Sequence, residues 1–228
     1  ATRFAISTEE TRYYLNGIFI HKAESGELCA VATDGHRLAL TRQALPSGAA
    51  QMPSIILPRK AVNELRKLLD DFDGEVLVSL SETRAEFRFD VVRLTSKLID
   101  GTFPDYTRVI PVGNDRIMQV DVVAFSAAVD RVATIASEKS RSVKMGLKPG
   151  LLTLSASNTD ASSATEELEV SYDGAEMEIG FNARYLLDIA GQVNSEMVEF
   201  ALADQGSPSL VRAPGDEANL FVLMPMRV

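Results

Sequence analysis

Thr33-Asp34-Gly35-His36 places a carboxylate two residues from an imidazole, the arrangement in this chain best suited to acid–base work. A carboxylate can orient an imidazole, and the imidazole can then carry a proton. A hydrolase centred on His36 would still need a nucleophile or a metal. The chain has two histidines, His21 and His36, and one cysteine, Cys29. It carries no nucleophile elbow, phosphate-cradling Walker loop or dinucleotide fingerprint. Asp-Gly is a strong turn signal between strands, so a turn accounts for Asp34 and Gly35 without chemistry, and His36 then opens the next strand. Cys29 lies in the apolar run Leu28-Cys29-Ala30-Val31-Ala32. A single thiol can build neither an intrachain disulfide nor a multi-cysteine metal site, and it reads as a buried structural group. The expectation is a protein that is not an enzyme, with no catalytic residue, no metal and no cofactor.

The elements that carry these residues read as three helices among many short strands, which predicts an α+β fold. A helix is expected over 122–136, with Val122, Phe125, Val129, Val132, Ala133 and Ala136 on one stripe behind an Asp121 cap. A second is expected over about 59–70, with Val62, Leu65, Leu68 and Leu69 inward. A third, over about 183–193, has Tyr185, Leu186, Ile189, Ala190 and Val193 behind an Asn182 cap. Strand-like runs cover 13–20, 27–33, 37–41, 75–80, 84–89, 151–157 and 197–202.

Self-similarity organises these elements. A shift of 122 lays Ala61 on Ala183, Leu65 on Leu187, Val76 on Val198 and Leu80 on Leu202. A shift near 129 lays Glu9-Glu10-Thr11-Arg12 on Glu138-Lys139-Ser140-Arg141. Two copies of a helix-on-antiparallel-sheet domain are therefore expected, 1–112 and 113–228, joined through Val109-Ile110-Pro111-Val112-Gly113-Asn114-Asp115, whose Pro and Gly suit a connector. The second copy opens with a strand and helix over about 116–136. The first copy has no counterpart to them, so it is expected to be a piece of a domain.

Composition bounds the partners. At 228 residues and 46% hydrophobic, the chain can bury two ordinary cores. No run approaches the roughly 18 apolar residues of a membrane span, and Ala1-Thr2-Arg3-Phe4 is no signal peptide, so no membrane partner and a cytoplasmic location are expected. The net charge of -9 argues against a generally basic nucleic-acid surface but leaves room for local basic patches on an acidic exterior.

Four motifs, in order, resemble the bacterial DNA sliding clamps, the β subunits of DNA polymerase III. They are Arg12-Tyr13-Tyr14-Leu15-Asn16-Gly17, Thr33-Asp34-Gly35-His36-Arg37-Leu38-Ala39, Thr95-Ser96-Lys97-Leu98-Ile99-Asp100-Gly101-Thr102-Phe103-Pro104-Asp105-Tyr106 and Met224-Pro225-Met226-Arg227. Pro58-Arg59-Lys60 and 174–182 support them, and Val228 stands where the family often has Leu. The resemblance covers essentially the whole chain. It implies the DNA-clamp fold, with 1–112 most of the family's second domain and 113–228 its third. It also implies a homodimeric ring that encircles double-stranded DNA without reading sequence, with helices facing the hole and sheets outside. The implied role is a non-catalytic processivity factor of the replicative DNA polymerase, a holoenzyme that is a nucleotidyltransferase.

The resemblance also assigns sites. Residues expected to face DNA are Tyr13, Tyr14, Arg59, Lys60, Arg66, Lys67, Arg131 and Arg184. A slid-over duplex should meet them through loose phosphate contacts. One of the two tyrosines, read as strand residues, could equally be core. A hydrophobic pocket between the two copies is expected to take linear peptide motifs of the replicative polymerase, the clamp loader and repair proteins. Its residues would be Leu15, Thr33, Gly35, His36, Arg37, Leu38, Pro104, Arg108 and Val109 from the first copy and connector. From the second come Asn182, Tyr185, Pro208, Val222, Leu223, Met224, Pro225, Met226 and Arg227. Aliphatic groups would supply an apolar wall, with His36, Arg37, Arg108, Asn182 and Arg227 orienting polar atoms, while methionines suit several partners in turn. Met224 and Met226 also read as an ordinary last strand. A scaffold that uses the same pocket without encircling DNA is the alternative function.

Overall fold

The computed structural model describes residues 1–136, 141–158 and 162–227. Glu138, Lys139 and Ser140, used in the second repeat alignment, and Val228 lie outside the described residues. The chain forms two compact units, 1–106 and 107–228. The division falls six residues before the 112/113 boundary read from the connector's Pro and Gly, because Tyr106 is tied back into the first unit: its hydroxyl lies 3.0 Å from His21 Nε2.

Unit 1 opens with two 3-10 turns, Arg3–Ala5 and Tyr13–Leu15. Strands β1 (Gly17–Lys22), β2 (Leu28–Thr33), β3 (Arg37–Gln43) and β4 (Ile55–Pro58) follow. They form an antiparallel run in the order β3-β2-β1-β4. Gly17 is required where β1 meets β4, since a Cβ there would collide with the Leu57 carbonyl. Helix α1 (Arg59–Leu68) leads to β5 (Leu77–Leu80), β6 (Arg84–Phe89) and β7 (Val92–Lys97), an antiparallel sheet of their own. Alternation along β6 is the reason for its packing: Ala85, Phe87 and Phe89 point in, joining Leu57, Ala61 and Leu65 in the core. Arg84 and Arg88 are left outside.

Unit 2 begins with β8 (Arg116–Asp121) and α2 (Val122–Ala133). Next come β9 (Ser142–Lys148), β10 (Leu151–Ser157), β11 (Ser163–Glu169) and β12 (Met177–Asn182). Helix α3 (Ala183–Ala190) precedes β13 (Met197–Leu202), β14 (Ser209–Arg212) and β15 (Asn219–Leu223). The strands pair in two antiparallel runs, β11-β10-β9-β12 and β8-β13-β14-β15. Both helices start where the sequence places their caps. Asp121 Oδ1 accepts from Ala124 N at 2.7 Å and Asn182 Oδ1 from Arg184 N at 2.9 Å, each satisfying a free first-turn donor. The apolar stripe of α2 buries Phe125, Ala128, Val129 and Val132 completely or nearly so, and Phe125 meets Phe200 at 5.3 Å.

Three readings differ from the structure. The helices are shorter than their apolar stripes, because tighter turns finish them: Thr134, Ile135 and Ala136 each donate to the carbonyl three residues back. Tyr13 and Tyr14 lie in a 3-10 turn, not in a strand. Their rings meet edge to face at 5.7 Å, so strand alternation does not govern them. Finally, the repeat has two phases. Leu80 and Leu202 end matching strands 122 apart, whereas the N-caps Pro58 and Asn182 are 124 apart. The single shift lays buried Leu65 on the half-buried Leu187, and the better partner is the buried Ile189. With that adjustment, β1–β4, α1 and β5–β7 follow the same order as β9–β12, α3 and β13–β15. Among the described residues, unit 1 holds no counterpart of β8 and α2.

Candidate functional site

The Asp34 turn is built from its own backbone. Asp34 Oδ1 accepts from His36 N at 2.9 Å and Arg37 N at 3.1 Å. Thr33 Oγ1 donates to the Arg37 carbonyl at 2.7 Å and accepts from Gly35 N at 3.1 Å. Gly35 sits at φ 90°, where side chains are strained, and a Cβ would come within 2.5 Å of Arg12 Nη1. Asp34 is thus a turn-former. Its other oxygen takes Arg37 Nε at 3.1 Å. Arg37 is 8% exposed, donates to the Phe4 carbonyl at 2.8 Å and lies 5.1 Å from the Phe4 ring centre. The guanidinium, which the family resemblance places among the peptide-orienting groups, is turned inward here and clamps the N-terminal segment.

The remaining docking candidates divide by exposure. Leu15, Leu38, Val222 and Leu223 are core residues, at most 4% exposed. Gly35, His36, Pro104, Arg108 and Val109 are exposed, as are Met224 and Arg227, while Thr33, Tyr185, Pro208, Pro225 and Met226 are half-buried. Asn182, also half-buried, is occupied in capping α3. The C-terminal segment leaves β15 after Leu223 and is pinned again where Met226 N donates to the Gly180 carbonyl at 2.8 Å, on β12. Between those two anchors Met224 stands 39% exposed. Behind Pro225, Met226 and Arg227 lies a cavity of about 640 Å³ whose wall includes Lys144 and Glu178.

The DNA-facing candidates of unit 1 converge. Tyr13, Arg59, Lys60, Arg66 and Lys67 line one open cavity of about 660 Å³, together with Arg3 and Asn63, which the motifs did not single out. Arg3 Nη1 reaches Asn63 Oδ1 at 3.4 Å. Periodicity could have found Asn63, one helical turn from Arg59, Lys60, Arg66 and Lys67. Arg66 and Lys67 have loose exposed partners, Asp70 at 3.9 Å and Glu64 at 3.2 Å, of the kind worth little in water. Tyr14 is half-buried beside Tyr13. In unit 2 the candidates differ. Arg184 is 68% exposed and only 3.9 Å from Asp188. Arg131 grips Glu166 with two bonds of 2.7 Å, and this hydrogen-bonded pairing holds the Glu166 carboxyl below its ordinary value, so its charge is already matched.

A polar cluster in unit 1 escaped the sequence reading. His21 Nδ1 lies 3.2 Å from the Lys22 carbonyl and its Nε2 3.0 Å from Tyr106 Oη, which assigns the proton to Nδ1 and makes the phenol the donor to Nε2. Burial pushes the Tyr106 phenol up to about 12 and raises the neighbouring Cys29 thiol, leaving both neutral. Among the described residues, no three His, Cys, Asp or Glu side chains form a group that could hold a metal, and no helix is long and apolar enough to cross a membrane.

Comparison with known proteins identifies relatives of both units. The family model for the DNA polymerase III beta subunit central domain matches residues 1–105, and that for its C-terminal domain matches 107–227. The beta sliding clamp of Caulobacter vibrioides is 53% identical over 230 residues, which cover 100% of this chain and 62% of that protein. The beta sliding clamp of Pseudomonas aeruginosa is 42% identical over 237 residues with the same coverages. A crystal structure of the Bartonella birtlesii sliding clamp bound to griselimycin superposes with a TM-score of 0.96 at 53% identity, again over 100% of this chain and 62% of that one. The chain thus spans under two-thirds of the length of these relatives.

Proposed function

Because the chain belongs to the DNA polymerase III β-subunit family, the bacterial sliding clamps, we propose that it serves in a homodimeric ring that encircles double-stranded DNA and keeps the replicative polymerase on its template. Tethering of this kind acts by raising effective concentration and requires no catalytic group. The cations around the unit 1 cavity would meet phosphates without reading bases. Short peptide motifs of the polymerase, the clamp loader and repair proteins dock on the residues matched to the family's docking site.

The observation that carries the docking reading is the C-terminal segment, an irregular stretch fixed at Met226 that keeps an apolar Met224 in solvent. An unbranched thioether there can adapt to several partners. The test is calorimetry with a pentapeptide that begins Gln-Leu and ends Leu-Phe. Burial of each large side chain contributes roughly 1.5–3 kcal/mol, and ordering the peptide offsets much of it. The expected affinity is of about micromolar order, near -8 kcal/mol. Met224→Ala with Met226→Ala, or deletion of 224–228, should cost at least about tenfold, or 1.4 kcal/mol. Unchanged affinity after the deletion refutes the assignment.

A further inference from the structure

The outward face of the β5-β6-β7 sheet carries a charge pattern that nothing in the clamp reading uses. In register, Arg88 stands opposite Arg93 and Arg84 opposite Lys97. All four are exposed. Like charges directly across a ladder destabilise a sheet, and this sheet has two such pairs. One carboxylate serves the first pair: Glu86, between the two rows, holds Arg88 through Oε1 and Arg93 through Oε2, the latter at 3.2 Å. Arg84 and Lys97 have no ion-pair partner among the described residues. The face therefore has four cations and one anion in a chain of net charge -9.

Unit 2 shows what the same face looks like when it is neutralised. On β13 and β14, Arg212 donates to Glu199 Oε1 at 3.0 Å, and Glu199 Oε2 accepts from Gln119 at 2.9 Å. At the 122-residue shift the counterpart of Glu199 is Leu77. Leu77 lies opposite Arg88, on the β5 edge whose equivalent on β13 is covered by β8 in unit 2. Where unit 2 sets a carboxylate on β13 against its arginine, unit 1 has Leu77, and Glu86 is the one carboxylate left to serve Arg88 and Arg93 while Arg84 and Lys97 stay unmatched.

We propose that this face binds an extended acidic segment of a partner protein, with carboxylates on the two basic rows. The rows are four residues apart along β6, about 13–14 Å at roughly 3.4 Å per residue. Alternate side chains of an extended peptide repeat at about 7 Å by the same geometry. Such a peptide reaches both rows and can place an uncharged residue over Glu86. A nucleic-acid backbone fits less well, since it carries a charge at every nucleotide, including the one facing Glu86. The face also offers no aromatic ring for base stacking.

The test uses fluorescence anisotropy of the 228-residue chain with a labelled extended peptide bearing two glutamates four residues apart and an uncharged residue midway between them. Parallel probes are its glutamine analogue, a thymidine oligonucleotide and a short DNA duplex. Arg84→Ser with Lys97→Ser changes two exposed, unpaired side chains and should leave the thermal midpoint in place. It should weaken the acidic peptide at least about fivefold, and moderate salt should weaken it further. The glutamine analogue should not bind. Deleting 224–228 should leave this binding intact, which separates it from the docking site. The proposal is overturned if the double variant binds the acidic peptide unchanged, if the glutamine analogue binds equally, or if either DNA probe binds this face more tightly than the peptide.

Discussion

Arg37→Ala separates two roles for a buried guanidinium. With 8% exposure it is effectively out of water, against 18% for its partner Asp34. The side chain gives up its bond to Asp34, its bond to the Phe4 carbonyl and its place over the Phe4 ring. Removing one partner from a buried ion pair costs about 3–5 kcal/mol. Asp34 keeps two backbone donors, from His36 and residue 37, so the lower end, about 3 kcal/mol, is expected. At an m-value of about 1–3 kcal/mol/M in urea, the first unit's midpoint should fall by about 1–3 M. Hydrogen exchange read by mass spectrometry should show lost protection over β2 and β3, whose connection is this turn. Arg37→Lys should recover only part of the loss, since one ammonium cannot reproduce a planar fork. If Arg37→Ala leaves exchange and the urea midpoint unchanged while abolishing peptide docking, the guanidinium faces the ligand and the clamp argument is wrong.

Two further outcomes follow from local chemistry. Burial raises the Tyr106 phenol from 10 to about 12, so the folded state keeps a proton the unfolded chain loses. The resulting stability is present below pH 10 and disappears as pH rises through about 12. Ultraviolet titration of the five tyrosines should show a late phenolate that Tyr106→Phe removes, and titration of all five together near pH 10 in a folded protein would contradict this. Asp121→Ala should cost unit 2 about 1 kcal/mol through the lost cap on α2 and leave peptide affinity alone. Denaturant midpoints and calorimetry on the same variant check both halves, and a loss below a few tenths of a kcal/mol would mean the cap contributes nothing.

Local signals carried far in this sequence. Period-two patterning located the strands Arg84–Phe89, Leu151–Ser157 and Met197–Leu202 to the residue, and short polar side chains marked the starts of α2 and α3. Asp-Gly announced its turn because Asp34 and Gly35 satisfy it locally. Tyr13-Tyr14-Leu15 went unrecognised because an aromatic-rich run has β propensity, and only the neighbouring bonds, such as Leu15 N to the Arg12 carbonyl, curl it into a 3-10 turn. Sequence shows Arg37 as a cation without showing that the Phe4 carbonyl, 33 residues away, accepts from it. The Arg84–Lys97 and Arg88–Arg93 pairs required strand register, a long-range property. Arg3 was passed over because no pattern near the N-terminus links it to α1.

The pairing of strands in unit 2 carries a consequence for how it comes apart. Its chain is two successive strand–helix–three-strand stretches, β8 to β11 and β12 to β15. Each stretch lends its opening strand to the other's sheet: β12 completes the sheet of β9, β10 and β11, while β8 completes that of β13, β14 and β15. The halves are interlocked, so separating them breaks both ladders, and neither half keeps a complete sheet to survive as an island of structure. Unfolding of this unit is therefore expected to be all-or-none. Transient openings large enough to admit a protease must then be global events, rare in proportion to the stability of the whole unit.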